Sequence, residues 1–379
     1  MEFLMKYKSI VLLLMAIMLM TAGCSRKFTI SRDEEVPASP WPLSRNDAGS
    51  RARIDSDFKG ELRLIWQKKV SESPAGPLSI GAGKLIFSGT KRRINFYDIK
   101  SGKFVGRYKA AAGIQTGLVI RDSLAYFGIG PARNRFVCLN LCNQKILWKV
   151  DLSDVTGSPI IIKDYLFVGS SSGEILCLDP LTGTAIWRDS IGSKSSAGPS
   201  GDGDIVYFPF DDGKLMGFKV LSGDEIFSAE LGQPLITKAV IGDKVYVTGT
   251  EGGFFALDKM TGEILWEKTF SYPIWTSPAL DEDFLFFGDN GGDFRALNRN
   301  DGSTVWEFKT DGVILSSAIV VGQYVIFASL DRFLYCLDKK SGALVSKREF
   351  KRGIQFPAVS DGEMICVASY DGTIQCFGD

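Results

Sequence analysis

The chain has 379 residues, with 44 Lys and Arg against 44 Asp and Glu, and it contains no histidine. The missing histidine excludes Ser-His-Asp and Cys-His nucleophile systems, histidine-ligated zinc or haem, and an imidazole proton shuttle. The zero formal charge argues against a dedicated nucleic-acid-binding protein, which normally carries a basic excess. The 41 glycines, together with 12% aromatic residues, predict many tight turns that join β-strands.

The first residues have the pattern of an export signal. Two lysines precede an apolar run over 10–20, which is too short to cross a membrane and fits the hydrophobic region of a signal peptide over 1–23. Ala22 and Gly23 before Cys24 resemble the lipobox of bacterial lipoproteins, and this resemblance implies that Cys24 is lipidated. The following serine is typical of lipoproteins sent to the outer membrane. An ordinary cleaved signal with Cys24 as an unmodified thiol is the alternative.

Residues 24–60 predict a flexible tether. The segment is polar, rich in charge, serine and proline, and shows no sustained period of 2 or 3.6 residues. A flexible coil of about 36 residues has a root-mean-square reach of roughly 30 to 36 Å. The tether would therefore hold a domain clear of a membrane surface.

From residue 61 onward the sequence repeats itself about every 40 residues. The clearest copies carry an acidic or amide residue, then Thr-Gly or Asp-Gly, then Trp, as in Asp258, Gly262 and Trp266. The acidic or amide position recurs at Asp98, Asn140, Asp179, Lys219, Asp258, Asn298, Asp338 and Gly378, with spacings of 39 to 42 residues. Eight copies predict eight structural repeats.

Each repeat contains four short apolar runs, separated by turn signals such as Gly242-Asp243, that predict four strands. Eight such units predict an all-β fold, an eight-bladed β-propeller of four-stranded antiparallel blades over 61–379. The last copy lacks a fourth run, and the segment 61–69 fits the missing place, so the N-terminal strand is predicted to close the ring. The residues predicted to pack between blades are Trp66, Trp148, Trp187, Trp266 and Trp306.

The Asp-x-x-Thr-Gly-x-x-x-Trp pattern resembles the repeat of quinoprotein-type propellers, a family that includes pyrroloquinoline-quinone dehydrogenases and outer-membrane-protein assembly factors of the BamB type. Trp41-Pro42, followed by Arg45, resembles the start of these propellers and implies that the last third of the tether packs on the domain. The adjacent cysteines and recurring carboxylates of the dehydrogenases are missing from the sequence, and the predicted inner strands carry small residues, as at Ser158-Pro159.

The resemblance to the BamB type implies a monomeric, lipid-anchored scaffold that faces the periplasm from the outer membrane. Such a scaffold binds protein partners of the outer-membrane assembly machine and needs neither a cofactor nor a metal ion. Two alternatives stay open. One is a small quinoprotein oxidoreductase, and the other is a cell-surface propeller that binds polysaccharide or peptide.

Candidate partner-binding residues fall on one face of the predicted propeller, where the turns between second and third strands meet the inter-blade connections. Seven cations of blades eight, one and two are predicted there: Lys91, Arg92, Arg93, Arg133, Arg135, Lys351 and Arg352. They are interpreted either as a solvated loop surface or as a docking patch for an acidic partner or anionic lipid. Apolar candidates on the same face are Tyr272, Ile274, Trp275 and Phe356, as buried packing over the channel mouth or as exposed anchors.

The positions of the seven cysteines favour buried side chains over disulfide bonds. Cys138, Cys177, Cys336 and Cys376 share one third-strand position in different blades, where their Cα atoms are too far apart for disulfides. They are interpreted as small buried apolar side chains. A pair between Cys366 and Cys376 within one blade is the alternative that stays open.

Overall fold

The structure, a computed structural model, describes residues 45–114, 116–130 and 134–378. In these ranges the chain forms 34 strands and no helix, arranged as eight sheets in a ring. The prediction of an all-β, eight-bladed propeller is therefore confirmed. Cys24, the predicted signal peptide, the beginning of the predicted tether and Arg133 lie outside the described residues. Within the described part, no helix is available that could span a membrane.

The first four blades follow one another along the chain, with strands numbered from the axis outward. Blade one contains Ser79–Gly81, Lys84–Gly89, Arg93–Asp98 and Phe104–Lys109. Blade two contains an interrupted first strand, Gly113–Ile114 and Val119–Arg121, then Leu124–Gly130, Arg135–Asn140 and Lys145–Asp151. Blade three contains Val155–Ile162, Tyr165–Ser170, Glu174–Leu178 and Ala185–Ser190. Blade four contains Ser200–Asp202, Ile205–Pro209, Lys214–Lys219 and Glu225–Glu230.

The other four blades continue in the same order, except that the last one takes its outer strand from the N-terminal side. Blade five contains Val240–Ile241, Val245–Thr248, Gly253–Leu257 and Ile264–Thr269. Blade six contains Ala279–Leu280, Phe284–Gly288, Asp293–Asn298 and Thr304–Lys309. Blade seven contains Ile319–Val321, Tyr324–Ala328, Phe333–Asp338 and Leu344–Glu349. Blade eight contains Val359–Ser360, Ile365–Ala368, Thr373–Gly378 and Arg63–Lys69.

The N-terminal strand closes the ring, as predicted. Arg63–Lys69 pairs antiparallel with Thr373–Gly378 and supplies the fourth strand of blade eight. The indole nitrogen of Trp66 on this strand donates a hydrogen bond of 2.7 Å to the Ile99 carbonyl of blade one. The two ends of the propeller sequence are thus joined in one sheet, and that sheet packs on blade one.

The antiparallel blades give the propeller two different faces. Turns between first and second strands and between third and fourth strands lie on one face, which carries the repeated Asp-x-x-Thr-Gly turns and is called the motif face. Turns between second and third strands and the inter-blade connections lie on the other, called the connector face. Second and third strands are largely buried, whereas most fourth strands are largely exposed except at the Trp position, as in Ile264–Thr269 around Trp266.

Each tryptophan of the repeat lies against the next blade. Trp148 of blade two donates from its indole nitrogen to the Pro180 carbonyl of blade three, at 2.9 Å. Its ring covers the turn glycine of that blade so closely that a Cβ on Gly183 would lie 2.6 Å from the ring. The same hydrogen bond and glycine contact recur for Trp66, Trp187, Trp266 and Trp306. The core therefore sits between adjacent blades, and the repeat motif forms the contact between them.

Residues 45–57, called the strap, cross the inner strands of blades four to seven. Backbone N–H groups of Gly201, Ile241, Leu280 and Val320 donate to strap carbonyls at 2.8 to 3.0 Å. Arg53–Ile54 pairs in parallel with the first strand of blade seven. Because these contacts lie near the turns between first and second strands, the strap runs beside the axis on the motif face. This part of the predicted tether is packed on the propeller.

One of the four third-strand cysteines differs from the prediction that all four are small buried apolar side chains. Cys366 and Cys376 face each other in the register of blade eight and form a disulfide, with Cα atoms 4.1 Å apart. Cys376 is therefore not simply a small apolar side chain, because its strand partner at the same level is also a cysteine. Cys138, Cys177 and Cys336 are buried and Cys142 is half-buried, and none of the four forms a disulfide with a described residue.

Candidate interaction surface

The connection from blade five to blade six presents two aromatic side chains on the connector face. Tyr272 is 47% exposed and Trp275 is 49% exposed. Ile274, between them, is fully buried in the core that blades five and six share. The prediction that Ile274 binds a partner is therefore wrong. The 40-residue repeat explains the error, because the residues at the same position in other inter-blade connections are also fully buried: Leu235, Ile314 and Ile354.

The residue after this buried position points outward in neighbouring repeats. Ile236 and Trp275 are exposed, and Leu315 is half-buried. Together with Tyr272 these side chains form an apolar arc on the connector face of blades five to seven. Phe356 is half-buried in the connection into blade eight, where its carbonyl accepts a hydrogen bond from the Ser316 hydroxyl at 3.3 Å.

Tyr272 is held in place by blade six. A Cβ on Gly291 would lie 2.2 Å from the Tyr272 ring, so the ring rests directly on that glycine. The Lys309 ammonium lies 5.9 Å from the ring centroid on the exposed side. Phe270, two residues earlier, packs at a tilt of 59° against Phe287, with ring centroids 5.1 Å apart. The connection is therefore ordered before any partner binds, which lowers the entropic cost of association.

A buried ionic cluster supports the same connection. The Arg295 guanidinium lies 5.0 Å from the Phe270 ring and binds the carboxylates of Asp289, Asp293 and Glu307. Burial disfavours the charge, but hydrogen bonds to Asp289 and Glu307 outweigh burial and raise the pKa of Arg295. The cation under the aromatic connection thus stays charged and fixed.

The structure leaves fewer than seven of the predicted cations exposed and outside ion pairs with described residues. Arg93 pairs with buried Glu72 at 3.7 Å, and Arg135 pairs with Asp151 at 2.8 Å. Arg133 lies outside the described residues. Four cations are exposed and form no ion pair with a described residue; they are called the basic patch: Lys91, Arg92, Lys351 and Arg352.

Hydrogen bonds connect the two halves of the basic patch. The Tyr370 N–H donates to the Gly353 carbonyl, next to Arg352, and the Ser73 hydroxyl donates to the Tyr370 carbonyl. The Thr90 N–H, next to Lys91, then donates to the Ser73 carbonyl. Tyr370 is 52% exposed and lies between the cations. Sequence reasoning missed it, although it occupies a turn between second and third strands, where exposed side chains are expected.

A ring of equivalent residues surrounds the axis just before the first strands. Its eight positions are Gly76, Gly117, Ser158, Gly198, Lys238, Ser277, Ser317 and Pro357. Neighbouring blades are linked there, because the Lys238 N–H donates to the Ser277 hydroxyl at 2.9 Å and the Ser277 N–H to the Ser317 hydroxyl at 3.0 Å. Sequence reasoning noted the small residues and overlooked Lys238, which the 40-residue register places among them.

These axial residues do not fit a calcium-bound quinone. Calcium requires several oxygen ligands, usually including carboxylates, and none of the eight ring positions is Asp or Glu. Among the described residues, no group of three or more acidic or cysteine side chains is arranged to hold a metal ion. The ionisable side chain that does reach the axis from this ring is a cation, Lys238.

Four-stranded blades, joined by a tryptophan on the turn glycine of the next blade, define a propeller of the quinoprotein-repeat type. A family model described as "Outer membrane protein assembly factor BamB" matches residues 111–189, 129–240 and 232–329, together more than half of the chain. The chain therefore belongs to this family.

Two curated relatives carry that same description. The protein of Nitrosomonas eutropha is 27% identical over 163 residues, which are 41% of this chain and 39% of that protein. The protein of Kangiella koreensis is 25% identical over 184 residues, which are 45% of each chain. The matched stretches thus span less than half the length of either relative.

Solved structures agree on the fold. BamB from Moraxella catarrhalis has a TM-score of 0.68 at 18% identity, covering 84% of this chain and all of that chain. A europium-containing methanol dehydrogenase has a TM-score of 0.74 at 12% identity, covering 88% of this chain and 90% of that one. At such low identity both similarities show the fold alone.

Proposed function

We propose that this protein is a non-catalytic scaffold that binds protein partners during the assembly of outer-membrane proteins. The observation that carries the proposal is family membership, since the matched family and both relatives are described as outer-membrane assembly factors. The dehydrogenase similarity is a similarity of fold, and the axial residues described above do not match a calcium and quinone centre. A binding role therefore has more support than an oxidoreductase role.

Partner binding is assigned to the connector face. The apolar arc offers exposed Tyr272 and Trp275 on an ordered connection, and aromatic side chains of this kind dominate the energetics of protein interfaces. The basic patch offers exposed cations that would attract an acidic partner and increase its rate of association. The proposed partner surface therefore has an acidic region beside an apolar region.

The first test replaces the aromatic anchors. Tyr272→Ala with Trp275→Ala should reduce co-purification of the outer-membrane assembly machine from solubilised envelopes at least tenfold, because each anchor contributes about 1 to 2 kcal/mol or more. Thermal unfolding should change little, since both side chains are about half exposed.

A matched control lies on the motif face. Leu181 and Met260 are exposed apolar residues of the repeated turns there, at 69% and 55%. Leu181→Ala with Met260→Ala should leave co-purification unchanged. Equal losses for the two double variants, or no loss for Tyr272→Ala with Trp275→Ala, would argue against the connector face as the binding surface.

We also propose that Cys24 carries the lipid that anchors the protein at the periplasmic side of the outer membrane. The lipobox-like residues before Cys24 support this assignment. Cys24→Ala should prevent signal cleavage at the lipoprotein site, and the wild-type protein should fractionate with outer membranes and carry acyl chains detectable by mass spectrometry. A wild-type protein that is processed without acyl chains would refute the anchor while leaving the scaffold proposal intact.

A further inference from the structure

Two cations lie buried together in the axial channel. Lys238 of blade five is 6% exposed, and Arg45 of the strap is 5% exposed. The Lys238 ammonium donates to the carbonyls of Ser158 and Pro199, at 2.9 and 2.6 Å. The Arg45 guanidinium donates to strap and blade-six carbonyls. All of these partners are neutral.

The other buried cations of the described chain have carboxylate partners. Arg295 binds Asp289, and Lys339 binds Asp281 at 3.1 Å. A buried charge without an opposite charge is strongly unfavourable, so proteins normally pair it. Neither Arg45 nor Lys238 forms an ion pair with a described residue. The nearby Asp47 carboxylate, which pairs with Arg51 at 2.8 Å, only partly offsets burial, and the pKa of Arg45 is lowered to about 9. Burial, and then the nearby charge of Arg45, lowers the pKa of Lys238 to about 7.

Hydrogen-bond donors also remain unused at this place. The Nη1 atom of Arg45 is buried and has no hydrogen-bond partner among the described residues. Lys238 has three ammonium protons and donates two of them to the carbonyls already named. Two buried positive groups with spare donors, surrounded by polar backbone groups, have the chemistry of an anion site.

We propose that a small inorganic anion such as chloride binds in the axial channel between Arg45 and Lys238. The ion must be small, because the channel ring consists of glycine, serine and proline around Lys238, and hydrogen bonds hold its blades close together. Arg45 belongs to the strap and Lys238 to blade five. The anion therefore links the strap to the ring and stabilises the packing of the strap on the inner strands.

Thermal unfolding of the full mature protein tests the site. Chloride is varied against gluconate at constant ionic strength and pH. Once chloride exceeds its dissociation constant, the midpoint should rise by about 2 °C for each tenfold increase in chloride. Lys238→Met and Arg45→Gln should each abolish this dependence. Lys268→Met, which removes an exposed lysine of the same blade, should retain it.

Two further readouts do not depend on the stability of the variants. Crystals of the wild-type protein soaked in bromide should show an anomalous peak between the Arg45 guanidinium and the Lys238 ammonium. Without chloride, wild-type stability should rise as pH increases above 7, because the unfolded state then binds a proton that folded Lys238 has lost. Chloride should flatten this rise. A chloride dependence that survives in Lys238→Met, or an axial channel without bromide, would overturn the proposal.

Discussion

At the residue scale, the repeated turn combines a carboxylate that orders the backbone with a glycine that admits a tryptophan. The Asp258 carboxylate accepts hydrogen bonds from the N–H groups of Thr261 and Met260, which lower the pKa of Asp258. Gly262, in the same turn, has a φ of +72° and lies under Phe227, the residue at the Trp position of blade four. The motif therefore orders its own turn and provides the surface on which the neighbouring blade packs.

The irregular repeats follow from the same pairing. Blade two has Gln144 at the turn position, with a φ of +57°, and the preceding blade has Gly106 where a tryptophan would stand. No indole ring has to be accommodated there, so a side chain is tolerated. Blade seven has Ser346 at the Trp position, and it faces residues before the closing strand, donating to the Gly60 carbonyl at 2.6 Å. Between blades one and two the glycine and the tryptophan are lost together, because the glycine is needed only where an indole ring packs on it.

Two glycines with the same backbone angle separate the effects of conformation and packing. Gly183 and Gly232 both have a φ of +72°, but a Cβ on Gly183 would meet the Trp148 ring, while a Cβ on Gly232 would meet nothing within 4 Å. Gly183→Ala should therefore lower the free energy of unfolding by about 1 to 3 kcal/mol more than Gly232→Ala. Denaturant titration measures both, and equal losses would mean that the indole contact adds nothing.

At the scale of the element, the sequence predicts most of each blade. Turn pairs such as Gly242-Asp243 and the buried runs between them identify strands, and the outer strand Ile264–Thr269 follows the Thr261-Gly262 turn, where the repeat predicts a fourth strand. The strap has no such signal. Its order comes from backbone hydrogen bonds to four different blades, which depend on the closed ring and leave no periodic trace in residues 45–57.

The disulfide of blade eight is a second feature that repeat analysis leaves undecided. The register that places Cys376 among the third-strand cysteines says nothing about Cys366 on the second strand, and only the pairing of the two strands brings them together. A disulfide in this blade fits an oxidising compartment such as the periplasm. It joins strands two and three of the blade that also receives the N-terminal strand.

Thiol counting tests this bond. A variant that begins at residue 25 has six cysteines, of which four should react in denaturant without reductant and all six after reduction. Cys366→Ala with Cys376→Ala should lower the free energy of unfolding by about 2 to 3 kcal/mol, because the bond closes a loop of about ten residues. Six reactive thiols in the oxidised protein would show that the bond does not form.

At the scale of the whole molecule, the 40-residue period predicts the ring of blades and its closure, but it predicts only part of the interaction surface. It places Tyr272 and Trp275 on the connector face, and the same register, applied to Ile274, would have marked it as buried beside Leu235 and Ile314. The basic patch is harder to predict. Arg93 and Arg135 share the face with the free cations, and their pairing with carboxylates depends on side-chain positions that a repeat does not specify.

Ring closure gives the N-terminal strand an effect on stability far beyond its length. Without Arg63–Lys69, the buried strand Thr373–Gly378 loses its outer partner and becomes an exposed apolar edge, and blade one loses the Trp66 contact. A variant that begins at residue 70 should therefore unfold at a much lower temperature, without a single cooperative transition, and should aggregate.

A variant that begins at residue 45 is the control for this deletion. It keeps the strap and the closing strand, so it should unfold cooperatively, near the temperature of the full mature protein, in calorimetry. Trp66→Ala should fall between the two, because it removes the contact with blade one and leaves the strand paired. Equal midpoints for variants that begin at residues 45 and 70 would mean that the other seven blades hold the ring without closure. An intermediate midpoint for Trp66→Ala would indicate that strand pairing and blade packing both contribute to closure.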